Sequence, residues 1–253
     1  QPKDDLMRIY PIFHFLPGDP AAPSARRSDG KMHILMTTPG CGLACKVMQA
    51  AREDTGPCRL HRLGVAAHAF ADTWAHQNFV GWKDGINGVQ GNMLPNIGHA
   101  DLMHHPDWVG HRWDDRRVIM NQVNNNLRFL DAAKRLFQEF CLCTGSNAHS
   151  WPVLEKDLLK AMGPVFSGEK LQGRDDRLEA YYMLFKLPDY NQNDWFNKAV
   201  KTEVKGLPDN FLSSLTIFRD ECKWKKGWKS SNWYKFQEAV KAHQALCMVE
   251  LAP

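Results

Sequence analysis

Apolar positions recur with helical spacing along most of this chain, and the breaks between those stretches fall on glycine and proline. A helical pattern runs from Leu43 to about Glu53. After Gly56-Pro57 a stronger one runs from about Arg59 to Asn78, closed by Gly81. Asp114 or Asp115 is placed to cap a long helix reaching about Cys141, with Val118, Val123, Leu127, Leu130, Ala133 and Phe137 among its apolar positions. Further helices are expected at roughly 151–162, 174–186, 193–205, 209–222 and 231–250, with breaks at Gly163-Pro164, Pro188 and Pro208. No strand alternation of any length competes, so the predicted class is all-α, a multi-helix bundle.

Two stretches fall outside this pattern. Residues 1–40 are rich in Pro and Gly and are expected to be mostly extended or looped. Residues 79–112 hold six glycines together with His99, His104, His105, Asp107 and His111. Long polar loops of this kind are usually functional or disordered. The expected organisation is one domain over 1–253: an extended leading segment (1–40), a core (41–145) and C-terminal helices (146–253).

The 253 residues are 43% hydrophobic, enough to bury one sizeable core. A formal charge of +4 is too small to imply a nucleic-acid or membrane partner by itself. No apolar run approaches the ~20 residues that cross a bilayer, and the first residues carry no apolar signal-peptide core. The expectation is a soluble protein, with the cytoplasm favoured over export. Seven scattered cysteines do not make a complete disulfide framework, and Cys41/Cys45 and Cys141/Cys143 lack the C-x-x-C spacing of structural zinc sites.

The chemistry concentrates on the second helix. At ~100° per residue, His61, His68, Asp72 and His76 fall within an arc of about 100°. Gly64, Ala67, Ala71 and Ala75 beside them let other helices approach. His68 and His76 are separated by about 12 Å along the axis, too far for one ion with nitrogens at ~2.1 Å. Asp72 lies midway, and a carboxylate bridges ions ~3.5 to 4 Å apart. The spacing therefore predicts two or more zinc-type ions, one on His68 and the other on His76. The alternative is a solvated polar face. Against it, Val65, Ala66, Phe70, Trp74 and Phe79 make this helix apolar nearly all round, and buried ionisable groups are costly unless paired or metal-bound.

His68-Ala-Phe-Ala-Asp72-Thr-Trp-Ala-His76-Gln-Asn-Phe-Val resembles the zinc-dependent phospholipase C and single-strand nuclease superfamily, whose members are all-helical. Thr37-Thr38-Pro39, His61-Arg-Leu-Gly, and Ile97-Gly-His99 followed by Pro106-Asp107 are similar to an uncharacterised bacterial family within it, over about residues 9–140. The resemblance implies a metal-dependent phosphoester hydrolase. It makes His99 the next metal ligand, with Asp107 a further candidate. Nothing before Pro11 matches the superfamily's N-terminal ligands, so the site is incomplete unless they are replaced from elsewhere in the fold.

His14, flanked by apolar residues, reads equally as a hydrogen-bonded core histidine or as a ligand. His104, His105 and His111 are as readily solvated loop residues, and His33 is not a candidate. The candidate metal set is thus His14, His68, Asp72, His76, His99 and Asp107, with Asp72 and His99 as catalytic residues. Asn121, Asn124, Asn125 and Arg128 offer amides and a guanidinium to a phosphate, or else form a solvated face. Trp224 and Trp228, among lysines, offer a membrane-surface contact, with a partly packed surface loop as the commoner explanation. The expected substrate is a phosphoester of a lipid, a nucleic acid or a small molecule. The competing class is a non-catalytic binding or toxin-like module stabilised by metal.

Overall fold

In the computed structural model the described residues are 9–89, 96–146, 148–191, 193–201 and 223–251. The fold is mainly helical: α1 (Gly42–Glu53), α2 (Arg59–Ala75), α3 (Asn125–Thr144), α4 (Trp151–Met162), α5 (Arg174–Phe185), α6 (Asp194–Ala199) and α7 (Asn232–Leu251). Three two-stranded antiparallel ladders accompany them: β1 (Lys83–Asp84) with β2 (Asn96–Ile97), β3 (Arg112–Asp114) with β4 (Gln122–Asn124), and β5 (Val200–Lys201) with β6 (Lys223–Trp224).

The second helix is the centre of the packing. Its Leu63, Ala66, Phe70 and Trp74 recur every three or four residues and are buried against Val47 and Met48 of α1, Ala132 of α3 and Cys247 of α7. That stripe places α2 between α1, α3 and α7. Trp74 donates its indole N–H to Asp131 Oδ2 (2.8 Å), so its one polar atom is satisfied inside the core. His68 and Asp72 project from the other side of the helix, which α2 leaves towards the leading segment and the 79–112 loop.

Three expectations are corrected. The long helix does not begin at Asp114 or Asp115. Asp115 is buried and its carboxylate is held by Arg117 (Nε–Oδ1 2.9 Å, Nη2–Oδ2 2.7 Å), so it is unavailable as a cap. Residues 112–124 form the β3–β4 ladder, and Asn124 caps α3 by accepting from the Asn126 amide (3.1 Å). The leading segment is less extended than expected, because Tyr10–His14 forms a π-helical turn and Pro23–Ala25 a 3-10 turn. The helix expected over 193–205 stops at Ala199, where the chain enters β5. The one expected at 209–222 lies outside the described residues.

The π-helical turn is anchored by α7. His243 is buried, stacks on Phe13 (5.0 Å, 22°) and donates its Nε2–H to the Ile12 carbonyl (2.8 Å). Burial pushes its pKa down, and does the same for His61 and His111. The folded protein therefore refuses protons that the unfolded chain accepts. Stability from these groups is complete above their ordinary value near 6.5 and is lost as the pH falls below it. In chelator, the free energy of unfolding is expected to fall as the pH is lowered from 6.5 to 5. His243→Gln should flatten the curve. A chelated protein equally stable at pH 5 and pH 7 in urea titrations would refute this.

No helix among the described residues is long and apolar enough to cross a membrane.

Candidate metal centre

The structure gathers the six candidate side chains into two groups of three. His14, His68 and Asp72 form one, and His76, His99 and Asp107 the other; within each, the ligand atoms lie within 4.8 Å of one another. They come from different elements. The π-helical turn supplies His14, α2 supplies His68 and Asp72, the C-cap of α2 supplies His76, and the 79–112 loop supplies His99 and Asp107.

In the first group, His14 Nδ1 is 2.9 Å and His68 Nε2 3.4 Å from Asp72 Oδ2, and the two nitrogens are 3.3 Å apart. In the second, Asp107 Oδ1 lies 3.7 Å from both His76 Nε2 and His99 Nε2. Donors held at ~2.1 Å around a tetrahedral ion are about 3.4 Å from one another. The separations of 2.9 to 3.7 Å bracket that value, so each group could hold a zinc-type ion, while 2.9 Å is also a hydrogen bond between His14 and Asp72.

The tautomers fit as well. A carbonyl oxygen only accepts, so His76 Nδ1 carries the proton that it donates to the His14 carbonyl (2.6 Å), and His99 Nδ1 the one that it donates to the Met103 carbonyl (2.7 Å). The other nitrogen of each ring, Nε2, faces Asp107. Histidines that bind metals are held in this way, with the second ring nitrogen donating to a carbonyl or carboxylate. Phe15 stacks on His76 (4.3 Å, 19°) and fixes the ring plane. Gly98, at φ 56°, lets the loop close over the same phenyl ring, where any Cβ would overlap Phe15.

Electrostatics reflect this crowding. Burial works against the charged form of His76, but the Asp107 hydrogen bond, the Asp72 charge and the His14 carbonyl outweigh it and raise the pKa. His99 is pushed down, chiefly by burial. Burial opposes ionisation of Asp107, yet the His76 hydrogen bond and the neighbouring imidazoles hold its carboxyl below the ordinary range. Asp107 is thus an anion facing the Nε2 atoms of two imidazoles.

The arrangement differs from the expected one in a specific way. Asp72 is near His76, but the nitrogen it faces (Nδ1, 3.7 Å) is the one bonded to the His14 carbonyl. Asp107 supplies the carboxylate for His76 in place of a shared Asp72. His61 lies in neither group: seven residues before His68, it is about 10 Å down the helix axis, where it meets Trp195 edge-on (5.4 Å).

His104 is exposed, with Nδ1 3.6 Å from Asp107 Oδ2. His105 and His111 are buried around Trp108 rather than solvated, and His111 Nε2 is 3.0 Å from the Gly168 carbonyl. His33 Nε2 faces Asp84 (3.6 Å).

Of the amides expected to face a phosphate, Asn121 is exposed, Asn124 caps α3 and Asn125 is an internal brace. Asn125 is buried, donates to the His105 and Trp108 carbonyls (both 2.8 Å) and accepts from Trp113 Nε1 (3.1 Å). Arg128 is also internal and donates to the Trp74 carbonyl at 2.7 Å. Nothing in the helical periodicity distinguishes these inward positions from a solvated face. The Asn-Asn-Asn run before an apolar stretch is the only signal that a helix start is being tied to a loop.

The profile of one family, described as a family of unknown function (DUF6765), matches residues 1–251. No curated protein and no solved structure matches the chain.

Proposed function

We propose that this chain, which belongs to the DUF6765 family of unknown function, is a phosphoester hydrolase using two zinc-type ions, one on His14, His68 and Asp72 and one on His76, His99 and Asp107. The observation that carries this reading is that each group offers three donors and an open side. Structural zinc sites close with four protein ligands, whereas catalytic ones keep a position free. His68 is 54% exposed at its side chain and Asp107 37%, so both groups reach solvent. Ions bound there would lower the pKa of bound water toward ~7 and offset phosphate charge.

The chain's own residues do the rest. Asp72 and Asp107 each place a carboxylate beside two ring nitrogens, and the His14 and Met103 carbonyls accept from Nδ1 of His76 and His99, which leaves Nε2 turned to the site. The likeness of the 68–80 segment to the zinc-dependent phospholipase C superfamily points to the same chemistry, and His14 stands in for the ligands that superfamily carries nearer the N-terminus. Asp72 and His99 are the residues assigned to direct participation. The substrate class divides three ways: phospholipid, single-stranded nucleic acid, or small phosphodiester. Trp224, half-exposed and stacked on Trp228 (4.2 Å, 17°), is the surface assigned to the lipid case.

The test is metal content followed by turnover. Protein stripped with chelator and dialysed against zinc is expected to hold two ions. Asp72→Asn keeps the shape and removes the charge, so metal content should fall towards one while far-UV circular dichroism stays unchanged. Turnover is then measured on phospholipid vesicles, single-stranded DNA and a chromogenic phosphodiester. Protein that takes up no metal sinks the reading; metal without hydrolysis of any of the three favours the metal-stabilised binding module.

A further inference from the structure

A single guanidinium holds the two strands of chain that bring His76 and Asp107 together. Arg128, on the first turn of α3, points into the interior. Its Nη1 donates to the carbonyls of Trp74 (2.7 Å) and Ala75 (3.3 Å), and its Nη2 to the Pro106 carbonyl (2.9 Å) and Asn125 Oδ1 (2.6 Å). Ala75 immediately precedes His76, and Pro106 immediately precedes Asp107. The fork therefore ties the peptide carbonyl just before each of these two donors.

Geometry explains why this position takes arginine. The last carbonyls of a helix have no partner within it, and α2 ends at Ala75 without a glycine cap. A planar fork with five donors reaches the end of α2, the loop and the Asn125 amide at once; an ammonium is a point charge that does not span them. No carboxylate among the described residues bonds Arg128, and a desolvated guanidinium held only by carbonyls and an amide is costly to keep. Burial is strong enough to bring its pKa down to about 10. A cation near a metal group also repels the ion electrostatically, so charge alone argues against placing one here.

We infer that Arg128 is the positioning residue of the second metal group: it sets the separation of His76 Nε2 and Asp107 Oδ1, and with it the affinity for the ion on His76, His99 and Asp107. His14, His68 and Asp72 receive no hydrogen bond from it. The inference rests on the two-ion reading and adds to it a residue with no contact to either ion.

The experiment isolates each group before touching Arg128. His68→Ala leaves the second group alone, and His99→Ala leaves the first; Arg128→Lys, which keeps charge and approximate bulk, is then added to each. Cobalt(II) is titrated as a spectroscopic probe, with circular dichroism as the check on folding. In the His68→Ala background, Arg128→Lys is expected to weaken binding by about 10-fold or more and to change the visible d–d spectrum. In the His99→Ala background, affinity and spectrum should stay within about twofold. Arg128→Met removes the charge as well: weaker binding there, too, assigns the effect to position, whereas tighter binding assigns it to charge and overturns the inference.

Equal loss from both groups, or no loss from either, overturns it as well. Arg128→Lys that does not fold would make Arg128 a general core residue, also contrary to the inference. If the unsubstituted protein binds no cobalt or zinc, the two-ion reading itself falls, a result distinguishable from the others because it precedes any change at Arg128.

Discussion

Replacing His99 with alanine is expected to lower affinity for the second ion by about 10-fold or more, while His104→Ala leaves it within about twofold. Both imidazoles belong to the same loop and both lie near Asp107, so the comparison separates ligation from proximity. His99 Nδ1 is committed to the Met103 carbonyl, its side chain is 13% exposed, and its Nε2 faces Asp107 Oδ1. His104 is 73% exposed, and no backbone acceptor fixes its ring. Met103 between them has φ 51°, a conformation uncommon for a side chain of that size. That turn aims the Met103 carbonyl back at His99 and carries His104 outward. Isothermal titration with zinc measures both variants. Equal affinities would remove the loop from the site.

Asp115→Ala is expected to destabilise the fold by about 3 to 5 kcal/mol, a large part of the 5 to 15 kcal/mol typical of a domain. Its carboxylate accepts from Arg117 Nε, Nη2 and backbone amide, and both residues are buried. Arg117 also donates to the Ile86 carbonyl (3.1 Å) and lies over the Phe79 ring at 4.0 Å. Removing the anion strands this cation among apolar groups. Asp114→Ala, at an exposed neighbour, should cost less than about 0.5 kcal/mol. Urea unfolding gives both values; a loss below about 1 kcal/mol for Asp115→Ala would mean that the interior relaxes to hydrate Arg117. Phe79 meets His99 edge-on at 5.6 Å, so the same variant should loosen the loop beside the second group.

Helices with an unbroken apolar stripe and a glycine or proline at each end were legible from sequence. α1, α4, α5 and α7 lie within about a residue or two of expectation because local breakers decide their ends. α3 was not, because Asp115 has two uses for its oxygens and a tertiary partner took them. Val118 and Val123 fit a helical period equally well as residues of a turn and a strand. At the site, His68, Asp72 and His76 were visible as one set, since i and i+4 positions share a face. Its division between His68 and His76 was expected too, but not that Asp72 would stay with His68 while Asp107 faces His76. That depends on which imidazole nitrogen is already bonded, and the deciding acceptors are the backbone carbonyls of His14 and Met103. Arg128 was hidden for the same reason: its partners are carbonyls at Trp74, Ala75 and Pro106, and peptide groups leave no mark in composition.

His14 belongs to both groups at once. Its ring faces Asp72 and His68, while its carbonyl accepts from His76. Side chain and carbonyl sit on one residue of a single π-helical turn, so whatever stills that residue serves both groups. The consequence is thermodynamic linkage. An ion that orders the His14 ring also fixes the acceptor that orients His76, and by reciprocity an ion on His76 strengthens the first group by the same factor. The two ions should then fill as a cooperative pair, seen in titration as one steep rise where independent sites would give two separate ones.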